Sequence, residues 1–412
     1  MDNKPKFTER KYLITLIFVT MLFLLWGIAL TLGDVLNRHF QNVLQISKSR
    51  SSLVQLSIFG AYFIMAIPAG FFMKKFGYKN GVLLGLILYA AGAFLFIPAA
   101  DAQSFNFFRL ALFILACGLA TLETVAHPFV ASLGDPRTSD QRINFSQSFN
   151  GLGGVAGPLI GSYFILKTGQ SHSNDLVSVR NLYAVIGAVI TLIAILFFFV
   201  KVPAIKYNHP SGEISNINTN SDHSKSKLFS HKHLIFAAIA QFFNVAAQAG
   251  TWAYFINYGH EIMHISDEKA GYFFSLSMVM LIIGRFLGTF LMRYIAPYKL
   301  LSIFAIANIC MCLIVAQEFG VVSFVALLFI NFFFSIMFPT IFSLGLKNLG
   351  ERTQQASSFI VMGLVGGAIF PHLMGLIANN NVATAYYLPI ICYIPIAMFG
   401  IFYKKLNKKM ST

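Results

Sequence analysis

The chain has 412 residues, of which 57% are hydrophobic and only 11% charged, and its mean hydropathy is +0.69. Soluble domains carry about a quarter charged residues, so this charge cannot coat a water-facing surface, and a soluble fold of two or three domains is excluded. The net charge of +15 does not point to nucleic acid, because the Lys and Arg residues sit between apolar runs and not in one patch with interleaved aromatics.

The chain opens with the basic stretch MDNKPKFTERK. The apolar run that follows, from Tyr12 to about Leu32, is too long for a signal peptide and has no small-residue cleavage site. It is expected to stay as a first membrane helix. Stretches able to cross a bilayer, which takes about 20 residues, fall at 12–40, 52–74, 80–99, 105–134, 143–167, 180–201, 233–258, 268–293, 299–317, 321–346, 355–377 and 383–403. The expectation is an all-α membrane protein of about twelve transmembrane helices. Between the sixth and seventh spans, Pro203 to Lys232 is polar and rich in Asn, Ser and His. It reads as a linker (202–232) joining an N-terminal six-helix bundle (1–201) to a C-terminal one (233–412).

Placing the N-terminus inside puts most Lys and Arg residues in cytoplasmic segments, among them Lys75, Lys79, Arg137, Arg142 and the tail Lys404, Lys405, Lys408 and Lys409. This is the positive-inside bias, and an even span number puts both termini in the cytoplasm. Cys117, Cys310, Cys312 and Cys392 lie inside apolar runs without metal-type spacing and are given no chemistry.

The two halves resemble each other. Pro128, Ser132, Leu133 and Gly134 form P-x-x-x-S-L-G in the fourth span, and Pro339, Ser343, Leu344 and Gly345 repeat it in the tenth. GLGGVAGPLIG from Gly151 is matched by GLVGGAIFPHLMG from Gly363, and GFFMKKFGYK from Gly70 by GTFLMRYIAPYK from Gly288. All three pairs are offset by about 211–218 residues, as one parallel repeat requires. Two six-helix repeats with a cytoplasmic linker describe the major facilitator fold. A site between two such bundles opens to one side and then the other as they rock.

Ionisable groups inside the membrane are costly and are functional candidates by default. Here they are Asp34, Glu123 and Arg285, with His127 and His372 as weaker cases. Glu123 lies about seventeen residues into its span, near mid-membrane at 1.5 Å per residue, with His127 at i+4. It is suited to bind and release a proton; the bland reading is a structural carboxyl locked to His127. Asp34 sits in the outer part of the first span with Thr31, Asn37 and Arg38 at helical spacing, and its bland reading is a surface pair with Arg38. Arg285 orients a ligand or pairs with a helix end, and His372 reads as a packing residue. Offset by 211, Glu123 corresponds to Phe334, which places proton coupling in the first half. Gln147 and Asn150 share a face with Gly151 and Gly154, and Asn244, Gln248 and Trp252 form an i, i+4, i+8 stripe. Amides beside an aromatic ring suit a polyhydroxy ligand; the bland reading is interhelical hydrogen bonding. Together with Thr31 and His127 beside the acids, these residues are the candidate substrate contacts.

The segments FLLWG and GDVL (Phe23–Gly27, Gly33–Leu36), LETVAHPF (Leu122–Phe129), SQSFN (Ser146–Asn150), FPTIFSLGLKNLG (Phe338–Gly350), SSFIVM (Ser357–Met362) and IPAGFFMKKFGYK (Ile67–Lys79) resemble the fucose permease-like sugar–proton symporters, a branch of the major facilitator superfamily. The resemblance covers nearly the whole chain. It implies that Asp34 and Glu123 are the protonatable coupling residues and that Gln147, Asn150 and Gln248 face a sugar. The fucose-type pattern has asparagines around Thr31 and Gly33 and an Asn at the position of His127, so which sugar is carried is left open. The loop after the second span has Lys74 where the wider superfamily commonly has an acid.

The reading is proton-coupled uptake of a fucose- or hexose-type monosaccharide by alternating access, through the inner membrane of a bacterium. The chain is expected to act as a monomer in the lipid bilayer, with no cofactor and no nucleic acid. The coupling ion is expected to be H+, with Na+ as the alternative. A proton-driven exporter competes, because Gly153-x-x-x-Gly157-Pro158-x-x-Gly161 resembles the fifth-helix motif of drug–proton antiporters. An enzyme is disfavoured: the sequence offers no nucleophile–base set, phosphate loop or metal cluster.

Overall fold

Backbone groups at membrane depth have no water to bond, so apolar runs of this length must fold as helices. A computed structural model describes residues 7–135, 139–167, 175–200, 231–292, 294–347, 349, 356, 359, 360 and 362–407. These residues form helices and connecting turns. The longer elements are α1 (Leu13–Val43), α2 (Leu53–Phe94), α3 (Phe105–Ser132), α4 (Ser139–Gly161), α5 (Asp175–Phe199), α6 (Lys232–Ala253), α7 (Phe255–Glu261), α8 (Asp267–Leu291), α9 (Pro297–Ala316), α10 (Val321–Phe334), α11 (Met337–Leu346), α12 (Gly366–Ala378) and α13 (Tyr387–Leu406). α2 is broken at Gly77, whose φ of +81° suits a residue without a side chain, and it therefore supplies two spans.

Ten helices among the described residues are long and apolar enough to cross a membrane. The bent pair Lys48–Met65 and Ile67–Met73 adds an eleventh, and the shorter apolar helix Met362–Ala378 stands where the sequence places its eleventh span. Most of the expected linker, residues 201–230, lies outside the described residues, as do Arg137, Lys408 and Lys409.

Two further spans are interrupted among the described residues. Tyr254 separates α6 from α7, and Ser335 and Ile336 separate α10 from α11. The breaks have local partners: Arg285 Nε donates to the Ser335 carbonyl at 3.3 Å, and the Tyr254 hydroxyl lies 3.0 Å from both the Lys48 and the Pro371 carbonyls. The buried apolar side chains fall into two clusters. One is drawn from Leu16 through Phe197 with Ile256 and Ala270 added, the other from Leu234 through Tyr403. Large apolar side chains also cover the perimeter, with Phe71, Phe199 and Phe286 each at least 70% exposed, as a lipid-facing surface allows.

Inside the first half, α1 and α4 touch backbone to backbone. A Cβ on Gly153 would lie 3.0 Å from Gly27 Cα and closer still to the Leu24 carbonyl oxygen; one on Gly157 would run into the Thr31 hydroxyl. Small residues at this spacing let two membrane helices approach closely. The glycine motif that resembles an exporter signature is thus a packing seam in this chain. Between the halves, α4 meets α8, where Ser275 Oγ donates to the Val155 carbonyl at 2.7 Å. α2 meets α12, where a Cβ on Gly367 would press on the Phe59 ring at 2.8 Å.

The other polar contacts between the halves gather at the end of the bundle where α1 finishes, here called the distal face. Asn37 Nδ2 donates to the Ala253 carbonyl at 2.7 Å and Asn257 Nδ2 to Gln41 Oε1 at 2.6 Å. The Lys48 ammonium donates to Glu261 Oε2 at 2.8 Å and to the Ala378 carbonyl at 2.6 Å. His372 Nδ1 lies 2.8 Å from the Ser49 carbonyl, so this histidine closes a contact between halves. The distal mouth is shut.

Candidate functional site

Glu123 sits about two-thirds of the way along α3. Its carboxylate is hydrogen-bonded to the Tyr62 hydroxyl of α2, while its Oε2 is buried without a hydrogen-bond partner. Tyr62 in turn accepts the indole N–H of Trp26 from α1 at 2.5 Å. The carboxyl is therefore held from one side and unpartnered on the other.

His127 does not bind that carboxyl. One helical turn on, its Nδ1 lies 3.0 Å from the backbone carbonyl of Glu123. A carbonyl only accepts, so Nδ1 carries the hydrogen, and the neutral ring's Nε2 accepts from Gln147 Nε2 at 2.7 Å. The amide oxygen of Gln147 is left for another donor. The His127 ring is packed edge-on to Phe23 at 5.1 Å and to Trp26 at 6.3 Å between centroids. Asn150 on the same face of α4 donates to the Phe23 carbonyl at 3.2 Å. Phe23, Trp26, Tyr62, Glu123, His127, Gln147 and Asn150 thus form one constellation built from four helices of the first half.

Asp34 is buried and its Oδ1 accepts from Gln55 Nε2 of α2 at 2.9 Å. The surface pair with Arg38 does not form; Arg38 is buried too, and its Nε donates to Asp267 Oδ2 of α8 at 3.0 Å. Thr31 bonds the Gly27 carbonyl of its own helix at 3.0 Å and lies in the α1–α4 seam.

The residues of the expected stripe on α6 meet three different surroundings. Asn244 is fully buried with both amide atoms lacking partners. Gln248 is half-buried with no hydrogen-bond partner among the described residues. Trp252 donates its indole N–H to Asn331 Oδ1 at 2.8 Å, and Asn331 donates on to Ser277 at 2.8 Å. Three residues of the acid sites were not singled out from the sequence. Gln55 and Tyr62 are, with Ser57, the polar side chains of an otherwise apolar stretch, a pattern that marks an interior face, and Trp26 is the indole of the FLLWG segment.

The family model of the Major Facilitator Superfamily matches residues 12–371. The L-fucose-proton symporter of Escherichia coli is 37% identical, the alignment covering 97% of this chain and 95% of that protein. The glucose/galactose transporter of Brucella abortus biovar 1 is 36% identical over 97% of each chain. The crystal structure of FucP, a Major Facilitator Superfamily transporter in the outward conformation, matches with a TM-score of 0.68 at 37% identity, over 96% of this chain and 99% of that one. A D-xylose-proton symporter structure matches with a TM-score of 0.77 at 13% identity, over 95% of this chain and 97% of the other, a likeness of fold alone. The chain belongs to the Major Facilitator Superfamily and, within it, to the fucose permease-like sugar–proton symporters.

Proposed function

We propose that this protein accumulates a fucose- or hexose-type monosaccharide by proton symport across a bacterial inner membrane, as a monomer with both termini in the cytoplasm. The observation that carries the reading is Glu123: a carboxyl with one side bonded to Tyr62, an orphaned oxygen on the other, and a ring-and-amide surface beside it. The names of the full-length relatives, an L-fucose-proton symporter and a glucose/galactose transporter, support sugar as the cargo over export.

In this reading the halves 1–201 and 233–412 rock about the site. The Gln147 carbonyl oxygen and Asn150 offer hydrogen-bonding groups to sugar hydroxyls, and Phe23 and Trp26 cover an apolar sugar face. Gln248 approaches from the second half. Glu123 and Asp34 take up the coupling ion, which is H+ in this reading. Neither acid is ion-paired among the described residues in the closed arrangement: Arg38, four residues from Asp34, is engaged by Asp267 of the second half.

Uptake of labelled hexoses, 6-deoxyhexoses and N-acetylhexosamines into proteoliposomes tests this, with and without an inward proton gradient, in wild type and Glu123→Gln. Accumulation of one sugar on a gradient, lost in the variant while counterflow exchange survives, is the expected result. Failure of every sugar to accumulate under a proton or a sodium gradient would overturn it.

A further inference from the structure

Arg38 and Asp34 stand four residues apart on α1, the spacing at which side chains of one helix meet, with about 5–6 Å between their Cβ atoms. They are not paired. The Arg38 guanidinium crosses instead to the second half, where Nε reaches Asp267 at 3.0 Å and the head group lies 3.9 Å from Glu261. Asn42, one turn further on, donates to the same Asp267 oxygen at 2.6 Å. Asp34 has turned to Gln55, which donates to Oδ1. The Gln55 Oε1 atom is buried with no donor. A protonated Asp34 satisfies it: the amide N–H donates to one carboxyl oxygen while the acid O–H returns to the amide oxygen. An ionised Asp34 has no hydrogen to return and leaves the amide oxygen without a donor.

When the distal mouth opens, Asp267 and Glu261 leave with the second half while Arg38 stays on α1. The guanidinium then loses the two carboxylates that neutralise it in the closed mouth. Asp34 is then the acid within reach on its own helix. The geometry points to Arg38 as the residue that links protonation to gating: it bridges to Asp267 and Glu261 across the closed mouth while Asp34 is protonated, and returns to ionised Asp34 when the mouth opens. Arg38 is a positioning residue in this scheme. Release of the proton on one side re-forms the Arg38–Asp34 pair, which draws the empty carrier toward the distal-open form, as symport requires. Other charged or titratable groups at this end are His39 on α1, Lys48 and Arg50 on the one-turn helix Lys48–Ser51, Arg109 on α3, and Lys167, which lies 3.8 Å from Glu268. The pair Arg180–Asp101, Lys269 on α8, His264 in the turn before α8, and Glu318 lie at this end as well. His260 also faces the cluster, with Nδ1 2.9 Å from Asp267 Oδ1. None of these shares a helix face with Asp34 at the spacing that Arg38 does.

The inference rests on the symport reading, and its test keeps the two apart. Spin labels at Gln45→Cys and Asn380→Cys, exposed positions on either side of the distal mouth, report mouth opening by pulsed electron resonance in nanodiscs. The background has Cys117, Cys310, Cys312 and Cys392 replaced, and the measurement is made at alkaline pH. The cycle compares wild type, Asp34→Asn, Arg38→Gln and the double variant. Asp34→Asn is expected to shift the open-to-closed ratio toward closed by about fivefold or more. In the Arg38→Gln background the same change is expected to shift it by less than about twofold. Arg38→Met, which keeps the buried length without polar atoms, serves if Arg38→Gln does not fold. An equal shift with and without Arg38, or no shift in Asp34→Asn alone, would overturn the inference. Gradient-driven sugar accumulation by the unlabelled wild type in proteoliposomes tests the symport reading independently: a wild type that accumulates no sugar sinks that reading, whereas the variant cycle alone decides the role of Arg38.

Discussion

Tyr62 is the hinge of the acid site at the scale of single residues, since its hydroxyl meets both the Glu123 carboxylate and the Trp26 indole. Tyr62→Phe removes one oxygen and strands two buried groups. A buried polar group left without its partner costs about 1–3 kcal/mol, so thermal unfolding in detergent is expected several degrees below wild type, with slower counterflow. An unchanged melting point would show that solvent already serves both groups. The acids themselves were legible in the sequence, because a carboxyl is conspicuous in an apolar helix. Their partners were not. Gln55 lies 21 residues from Asp34 in another helix, and local spacing offered Arg38 instead, a pair that helix geometry permits and the closed mouth replaces. His127 at i+4 from Glu123 looked like a partner for its carboxyl; the ring bonds the backbone carbonyl instead and turns its other nitrogen to Gln147.

The helices followed from the apolar runs, because lipid leaves the backbone no alternative, and the Gly27–Gly153–Gly157 seam gives the reading at element scale its sharpest check. Gly153→Ala sets a methyl against the Leu24 carbonyl and Gly27 Cα, whereas the site of a Cβ on Gly154, the next residue, has nothing within 4 Å. Overpacking typically costs about 1–3 kcal/mol. Gly153→Ala is therefore expected to melt lower and express poorly, and Gly154→Ala to behave as wild type, in thermal unfolding of the purified protein. Equal behaviour of the two would remove the seam. Breaks within spans escaped the sequence because they depend on neighbours. Nothing local marks Ser335 or Tyr254; Arg285 and the Lys48 and Pro371 carbonyls do. The α6 residues span roughly 80° of a helix of 3.6 per turn, one face of it, yet their surroundings differ: Asn244 is buried in the bundle and Trp252 bonds Asn331. Those partners lie on other helices and leave no local mark in the sequence.

For the whole molecule, the repeat in the sequence implied two bundles but not which mouth is shut, because hydropathy is the same in every state of a rocking carrier. That information sits in side chains that meet only across the halves. Asn379 on the second half accepts from the Lys48 backbone N–H at 2.9 Å and donates to Ser49 Oγ at 3.1 Å, a contact that alternating access must break on every cycle. Ser49→Cys with Asn379→Cys, in the background without native cysteines, is expected to form a disulfide under mild oxidation. The cross-link should stop both net uptake and counterflow, since each needs the distal mouth to open, and reduction should restore them. Each single cysteine variant should transport, because each hydrogen bond lost contributes only about 0.5–1.5 kcal/mol and Lys48 still joins the halves through Glu261 and the Ala378 carbonyl. A carrier that is fully cross-linked and still transports at the wild-type rate would mean that sugar enters without separation of these two segments. The rocking of two bundles would then be the wrong motion for this chain, whatever its cargo.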